Sequence, residues 1–95
     1  MKKYESLFII APESAGARLE QVKNDIAKEI ERGNGTIDSV NELGLKTMSY
    51  AIKGNHEGFY YEVFFTTETS AIQEMRNRIN LNQDILRYLI VAEDK

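Results

Sequence analysis

The chain contains few residues whose types and spacing could perform catalysis. His56 is the only histidine, and it lies in a polar segment without the neighbouring ligands that a metal site requires. None of the serines lies in the glycine pattern that surrounds a hydrolase nucleophile. Gly33-Asn34-Gly35 follows a candidate helix, the reverse of the order found in phosphate-binding loops, so it is interpreted as a turn. The sequence therefore predicts no catalytic residue, no metal site and no cofactor, and the chain is not expected to be an enzyme.

Basic residues form local patches although the chain has a formal net charge of −3. Lys2 and Lys3 lie near its start, and Lys46 and Lys53 lie in a stretch from residue 43 to residue 53 that contains no acid. Acidic residues are concentrated in the first candidate helix and its entry, at Glu13, Glu20, Asp25, Glu29 and Glu31. Because phosphate binding depends on cations, these lysines are candidate nucleic-acid contacts. Ordinary solvated surface charge is the alternative interpretation.

The segment from Phe59 to Phe65 is dense in aromatic residues. It partly resembles the aromatic strand of RNA-recognition modules, in which rings stack on bases. However, no Lys or Arg precedes Gly58, the bulky Tyr60 occupies a position where those modules have a small residue, and Glu62 would repel phosphate. Any sheet core also needs such residues, so packing or contact with a partner protein is the favoured role of these rings.

The elements that must position these residues alternate between strand and helix. Strand character is predicted for residues 4–11, 36–52, 59–66 and 84–91. Helical spacing of apolar residues appears in two stripes, at Leu19, Val22, Ile26 and Ile30 and at Ile72, Met75 and Ile79. The order β-α-β-β-α-β predicts an α+β fold of the ferredoxin-like, split βαβ type. Its four-stranded antiparallel sheet would carry two helices on one face and leave the other face open to a partner.

The second strand is predicted to be interrupted. Leu43 and Leu45 share one parity, whereas Met48, Tyr50 and Ile52 share the other. A bulge or kink between Leu45 and Met48 would let both sets face inward, and Gly44 makes such an irregularity easier.

Length and composition are typical of one small globular domain. The 95 residues are 42% hydrophobic and 28% charged, which predicts a single domain over residues 1–95. The absence of cysteine excludes disulfides and fits a reducing compartment. No apolar run is long enough to span a bilayer, and the first residues lack the apolar region of a signal peptide. A cytoplasmic protein without membrane association is therefore predicted.

Three segments together carry a family pattern. Residues 1–5 place basic residues before Tyr-Glu, and residues 42–52 run from an acid through Leu and Gly to a basic residue, Tyr and Ile. Residues 82–88 contain an Asp and then an Arg in the turn into the last strand. From Met1 to about Ala92, this order and spacing resemble the bacterial small-subunit ribosomal protein six family. Thr47, Ser49 and Ala51 depart from the family pattern, which usually has a basic residue, an alanine and a proline there.

The resemblance implies a structural component of the small ribosomal subunit. Such a protein would bind the central domain of the small-subunit ribosomal RNA as a heterodimer with ribosomal protein eighteen, and would need no small-molecule substrate. The resemblance and the charge pattern together give the expected RNA contacts, which are Lys2, Lys3, Lys46, Lys53 and Arg87. Contacts with the partner protein are expected from Tyr4, Tyr50 and Tyr60.

Two other functions remain open from the residues alone. The first is a stand-alone binder of single-stranded RNA that uses Tyr60 as a stacking platform. The second is a ligand-sensing or enzymatic ferredoxin-like domain, since the fold alone does not determine function. The second is disfavoured because no convergent set of polar residues is visible in the sequence.

Overall fold

The computed structural model describes residues 1–93 and has the predicted order of strands and helices. The elements are β1 (Lys2–Ile10), α1 (Leu19–Arg32), β2 (Thr36–Ile52), β3 (Asn55–Thr67), α2 (Ile72–Ile79) and β4 (Ile85–Ala92). Short 3-10 turns precede the helices at Pro12–Ser14 and Thr69–Ala71. The strands form one antiparallel sheet in the order β2-β3-β1-β4, which confirms the predicted ferredoxin-like arrangement. Among the described residues, no helix has the length and apolar character needed to cross a membrane.

The main core lies between the sheet and the two helices. The apolar stripe of α1 is buried at Val22, Ile26 and Ile30, as its spacing predicts, and α2 contributes Met75 and Ile79. Their partners are inward-facing residues of the two central strands, including Phe8, Ile10, Val63 and Phe65. Full burial of each of these side chains contributes about 1.5–3 kcal/mol to the stability of the fold. Both helices therefore cover one face of the sheet, and we call the other the open face.

A tight turn connects α1 to β2. Asn34 is the residue with a positive φ, at 63°. The glycines on either side serve close packing instead, because a Cβ atom on Gly33 would lie 2.6 Å from the Cβ atom of Ala71. A Cβ atom on Gly35 would lie 2.8 Å from the carbonyl oxygen of Ile30. The turn thus holds the end of α1 against the segment that leads into α2.

The register of β2 with β3 is irregular at three places, between Ile37 and Ser39, between Glu42 and Gly44 and between Thr47 and Ile52. The third begins at Thr47, within the predicted interval from Leu45 to Met48, whereas the first two were not predicted. The prediction that both apolar sets face inward is wrong for Leu43, Leu45 and Tyr50, which are 43%, 57% and 62% exposed, and Met48 is buried as predicted. Since β2 is an edge strand, its side chains have a neighbouring strand on one side only.

The far part of the β2–β3 hairpin curls over the open face. A second, smaller core cluster lies there, formed by the buried residues Ile9, Ala11, Met48 and Leu86 with Ile52 and Tyr60 packed against it. Met48 belongs to one edge strand and Leu86 to the other, so the hairpin must cross the intervening strands to join them. We call residues 46–58 the hairpin arm.

Candidate functional site

The five predicted RNA-binding cations lie at opposite ends of the sheet. Lys2 and Lys3, which we call the N-terminal pair, begin β1 and pair with the last residues of β3. Arg87 pairs with Ile9, near the other end of β1. Six positions separate Lys3 from Ile9, so a strand rise of about 3.4 Å per residue places the two ends ~20 Å apart. The five predicted RNA contacts therefore lie on two separate parts of the surface.

The remaining three cations, Lys46, Lys53 and Arg87, form a hairpin group at one end of the sheet. Lys46 pairs with Gly58 at the base of the hairpin arm, and Lys53 lies in its tip. Lys53 and Arg87 line the same cavity, whose volume is about 230 Å³. Within residues 1–93, no member of the group forms an ion pair, although other cations such as Arg18 do. The hairpin group is thus available to an external anion.

Arg87 is held in place by Tyr50. The Nη1 atom of Arg87 donates a hydrogen bond of 2.9 Å to the Tyr50 hydroxyl oxygen. This bond joins the two edge strands across the open face, on the same side as the second core cluster. A guanidinium has five N–H donors in a fixed plane, so this bond uses one of them and leaves other donors free.

The tip of the hairpin arm is a two-residue turn. Ile52 pairs with Asn55, and the residues between them, Lys53 and Gly54, have φ angles of 51° and 81°. Two consecutive positive φ angles are the mark of a type I′ hairpin turn, a position that favours Asn, Asp or Gly. The Asn55 side chain donates to the carbonyl oxygens of Ile52 at 3.5 Å and Lys53 at 3.3 Å. Lys53 therefore occupies a backbone conformation that is unfavourable for its residue type.

The three tyrosines predicted to contact a partner lie in different environments. Tyr4 is 6% exposed and stacks on Phe65 with ring centroids 5.5 Å apart. Its parity in β1 directs it into the main core, so the structure corrects its assignment from partner contact to packing. Tyr50 is 62% exposed, and Tyr60 is half-buried on the open face. Only these two remain candidates for a surface contact.

An apolar strip on the open face is absent from the sequence predictions. It consists of side chains that alternate with core residues along β1, β3 and β4, namely Leu7, Phe64, Leu89 and Val91. Leu89 and Val91 are 60% and 48% exposed. Glu5 and Glu62 line the same surface. The sequence does show that these strands have apolar residues at both odd and even positions. Which of the two sets faces the helices depends on strand pairing, so the sequence did not identify the exposed set. We call the four apolar residues the open-face strip.

The ionic contacts away from the open face connect elements of the fold. Asp84 accepts hydrogen bonds from the Ser14 hydroxyl at 2.6 Å and from Arg18 Nη2 at 2.7 Å. The bonds from Arg18, and then from Ser14, hold the pKa of the Asp84 carboxyl below its usual value. They join the entry of α1 to the start of β4. In the part of the chain that the structure describes, no group of three or more His, Cys, Asp or Glu residues could hold a metal ion.

Comparison with known sequences gives consistent matches over nearly the whole chain. A family model described as Ribosomal protein S6 matches residues 3–92. Small ribosomal subunit protein bS6 of Helicobacter acinonychis is 32% identical over 98 residues, covering 99% of this chain and 66% of that relative. The bS6 protein of Rickettsia canadensis is 33% identical over 94 residues, covering 99% of this chain and 78% of that relative. The chain thus spans slightly under two thirds of the length of the Helicobacter relative.

Comparison with solved structures agrees with the sequence matches. The crystal structure of 30S ribosomal protein S6 from Thermotoga maritima has a TM-score of 0.90 and 31% identity, covering 97% of this chain and 87% of that one. The C-terminal domain of the MgtC protein from Mycobacterium tuberculosis has a TM-score of 0.63 at 9% identity, a likeness of fold alone. With its sequence and fold matched over nearly its full length, the chain belongs to the ribosomal protein S6 family of the small ribosomal subunit, a family of structural components and not of enzymes.

Proposed function

We propose that the chain binds the central domain of the small-subunit ribosomal RNA jointly with ribosomal protein eighteen. The observation that carries the proposal is the composition of the open face, where an exposed apolar strip lies on the same sheet face as Arg87 of the hairpin group. Cations are suited to RNA phosphates, whereas exposed apolar surface is suited to a protein. Membership of a ribosomal family is consistent with both kinds of partner.

The RNA share of the interface is small. Lys46, Lys53 and Arg87 can neutralise about three phosphates, each adding roughly 0.7–0.9 to the slope of log affinity against log salt. A formal net charge of −3 on the whole chain opposes RNA association at longer range. The isolated chain is therefore expected to bind RNA weakly.

The protein share of the interface is the open-face strip together with Tyr50 and Tyr60. Burial of exposed apolar surface stabilises a complex by about 25 cal/mol per Å², before the loss of freedom on association is subtracted. Glu5 and Glu62 on the same surface would attract a basic partner. Such a partner would also bring the positive charge that this chain lacks, so that the two proteins together bind RNA more tightly than either alone.

The N-terminal pair has a separate role in this proposal. Lys2 and Lys3 are exposed and lie about 20 Å along β1 from the hairpin group, so they cannot contact the same phosphate. They are assigned to a second RNA segment, and their removal should leave binding at the hairpin group intact.

Binding assays with a fragment of the central domain test the proposed function. The isolated chain should bind weakly, and addition of protein eighteen should produce a stable ternary complex whose affinity falls with salt. Gel-shift and calorimetric titrations at several salt concentrations measure the affinity of the isolated chain and that of the ternary complex. An unrelated ribosomal RNA fragment of equal length is the control. Tight, salt-insensitive binding by the isolated chain, or no gain from protein eighteen, would contradict the proposal.

A further inference from the structure

A cavity of about 230 Å³ lies between the tip of the hairpin arm and the start of β4. Its polar lining includes Lys53, Arg87, Asn80 and the Tyr88 side chain, and no acidic residue of the described chain lines it. The Tyr88 hydroxyl donates to the Asn80 side-chain oxygen at 2.9 Å, which leaves the amide N–H groups of Asn80 as further donors. Lys53 and Arg87 are the charged residues of the lining, and a molecule in the cavity would interact with them first.

Two cationic residues that line one small cavity repel each other, and an anion between their charged groups would relieve that repulsion. A guanidinium offers a planar set of donors that matches the oxygens of a phosphate, and an ammonium binds the same group as a point charge. A lining with two cations and no acid disfavours a metal ion. The cavity is therefore suited to one phosphate group.

The backbone at Lys53 supports this interpretation independently. Its φ angle of 51° is at the first position of a type I′ turn, where Asn, Asp or Gly fits better than a residue with a long side chain. Unfavourable backbone conformations persist where the surrounding structure enforces them, and they are concentrated at functional sites. The turn itself does not favour lysine at this position, so a role outside the turn would account for the residue.

Arg87 is positioned by a contact outside the cavity. Its hydrogen bond of 2.9 Å to Tyr50 comes from the hairpin arm, and the second core cluster anchors that arm through Met48. Lys53 therefore lines the cavity from the tip of the hairpin arm, and Arg87 is oriented by Tyr50 of the same arm. The position of the arm thus affects both cations.

We infer that Lys53 and Arg87 form a seat for one phosphate group of an RNA backbone, with Tyr50 as the positioning residue for Arg87. This inference rests on the proposed function, because it specifies which atoms of that RNA interface meet a single phosphate. Lys46 does not line the cavity and contributes only a general surface charge. The seat is a site with two specified residues, whereas a diffuse positive patch would attract phosphate without specific contacts.

NMR titrations of the ¹⁵N-labelled full chain test the seat without any ribosomal partner. Inorganic phosphate and a short single-stranded RNA are the two probes. With both, chemical-shift changes should concentrate on the amides of Lys53 and Gly54 and on the Nε–H of Arg87. Changes of similar size at Lys28 of α1 would overturn the seat, and a response to inorganic phosphate but not to RNA would overturn its assignment to an RNA backbone.

The variant Lys53→Asn separates binding from folding. Asparagine tolerates the left-handed conformation, so the melting temperature should stay the same or rise. The chemical-shift changes that phosphate causes at Arg87 should become smaller. The affinity of the ternary complex falls when salt is raised from about 50 to 200 mM, and in the variant this fall should be about 3-fold smaller, because one phosphate contact is lost. Lys28→Gln, which removes one exposed charge from α1, is the matched control and should change neither readout.

The variant Tyr50→Phe tests the positioning role. It keeps the ring and removes only the hydroxyl that accepts from Arg87, so phosphate binding should weaken while the charge of the seat is unchanged. Arg87→Lys retains the charge, loses the planar set of donors and should also weaken binding. Wild-type phosphate affinity and an unchanged Arg87 Nε–H signal in Tyr50→Phe would contradict the positioning role.

Failure of the seat and failure of the proposed function give different results. If phosphate and RNA responses localise to Lys53 and Arg87 but no ternary complex forms, the proposed function is wrong and the seat stands. If the ternary complex forms and Lys53→Asn alters neither its affinity nor its salt dependence, the seat is wrong and the proposed function stands.

Discussion

Single charged residues divide into those that connect elements of this fold and those that are left for other molecules. Arg18 and Arg78 each contact acids on another element, and hydrogen bonds to Asp84 and Glu29, respectively, raise the pKa of each guanidinium. Lys53 and Arg87 have no such partner among residues 1–93. The cations proposed to bind RNA at the hairpin group are therefore not among those that form ion pairs within the described fold.

Asp84→Asn is expected to destabilise the fold in a pH-dependent manner. The pKa of Asp84 is lower in the folded state than its ordinary value near 3.9, so its stabilising effect is present above about pH 4 and is lost as the pH falls through the folded value. Above that pH the variant should lose about 1 kcal/mol, a modest amount because Arg18 is largely exposed and screened by solvent. Chemical denaturation at several pH values measures the difference. Glu57→Gln is the control, and a gap between wild type and Asp84→Asn that did not narrow below pH 4 would argue against this account.

The residues predicted to contact RNA do not all lie together in the fold. Lys46, Lys53 and Arg87 were predicted and do lie at one end of the sheet, but Lys2 and Lys3 were predicted with them and lie at the other end. Which residues share a site depends on strand register, a long-range property that local patterns do not contain. Tyr4 was misassigned for the same reason, because its parity relative to the helices is set by the same pairing.

Among the elements, the helices were easier to predict than the strands that carry the site. The stripe at Val22, Ile26 and Ile30 is buried as its spacing predicts, since a helical period is visible within one segment. The course of β2 was predicted only in part, because the packing of Met48 on the open face depends on contacts with residues of other strands, such as Ile9 and Leu86. The hairpin arm is therefore the element that sequence reasoning described least well.

Gly33→Ala is expected to loosen the junction between α1 and α2. The new methyl group would lie 2.6 Å from the Ala71 Cβ atom, closer than the packing can accept, and overpacking of this kind costs about 1–3 kcal/mol. Gly16→Ala is the matched control, because nothing lies within 4 Å of its added Cβ atom. Thermal and chemical denaturation compare the two variants.

A second substitution isolates the physical cause of the Gly33→Ala effect. Ala71→Gly removes the atom that the new methyl group meets, so the double variant should recover part of the lost stability beyond the sum of the single changes. Purely additive effects in this double-mutant cycle would show that the contact with Ala71 is not the reason.

The molecule as a whole has one covered and one open sheet face, and the open face combines apolar and cationic groups. Membership of the ribosomal protein S6 family confirms the predicted family, the non-enzymatic role and the cytoplasmic location on the ribosome. Tyr61 and Phe65 of β3 face the core, so these two rings cannot stack on RNA.

Leu89→Asp is expected to weaken association with protein eighteen without unfolding the chain. Leu89 is 60% exposed in the open-face strip, so a carboxylate there would stay solvated in the free protein and would be buried without a partner in the complex. An affinity loss of at least tenfold is expected, corresponding to about 1.4 kcal/mol or more. Leu81→Asp, at a site that is 81% exposed and away from the strip, should have no effect in the same calorimetric titration. Equal losses in both variants would contradict docking on the open face.

The sheet order has a consequence for how the chain is made. β1 lies between β3 and β4, and Ser6 pairs with Val63 on one side and with Ile90 on the other. Synthesis of the roughly 84 residues from Ser6 to Ile90 takes about 4–17 s at about 5–20 residues per second. Both edges of β1 are unpaired until β3 is made, and one edge stays unpaired until β4 is made. Rapid synthesis of this stretch, or shielding by another molecule, would keep the unpaired edges from pairing with other chains.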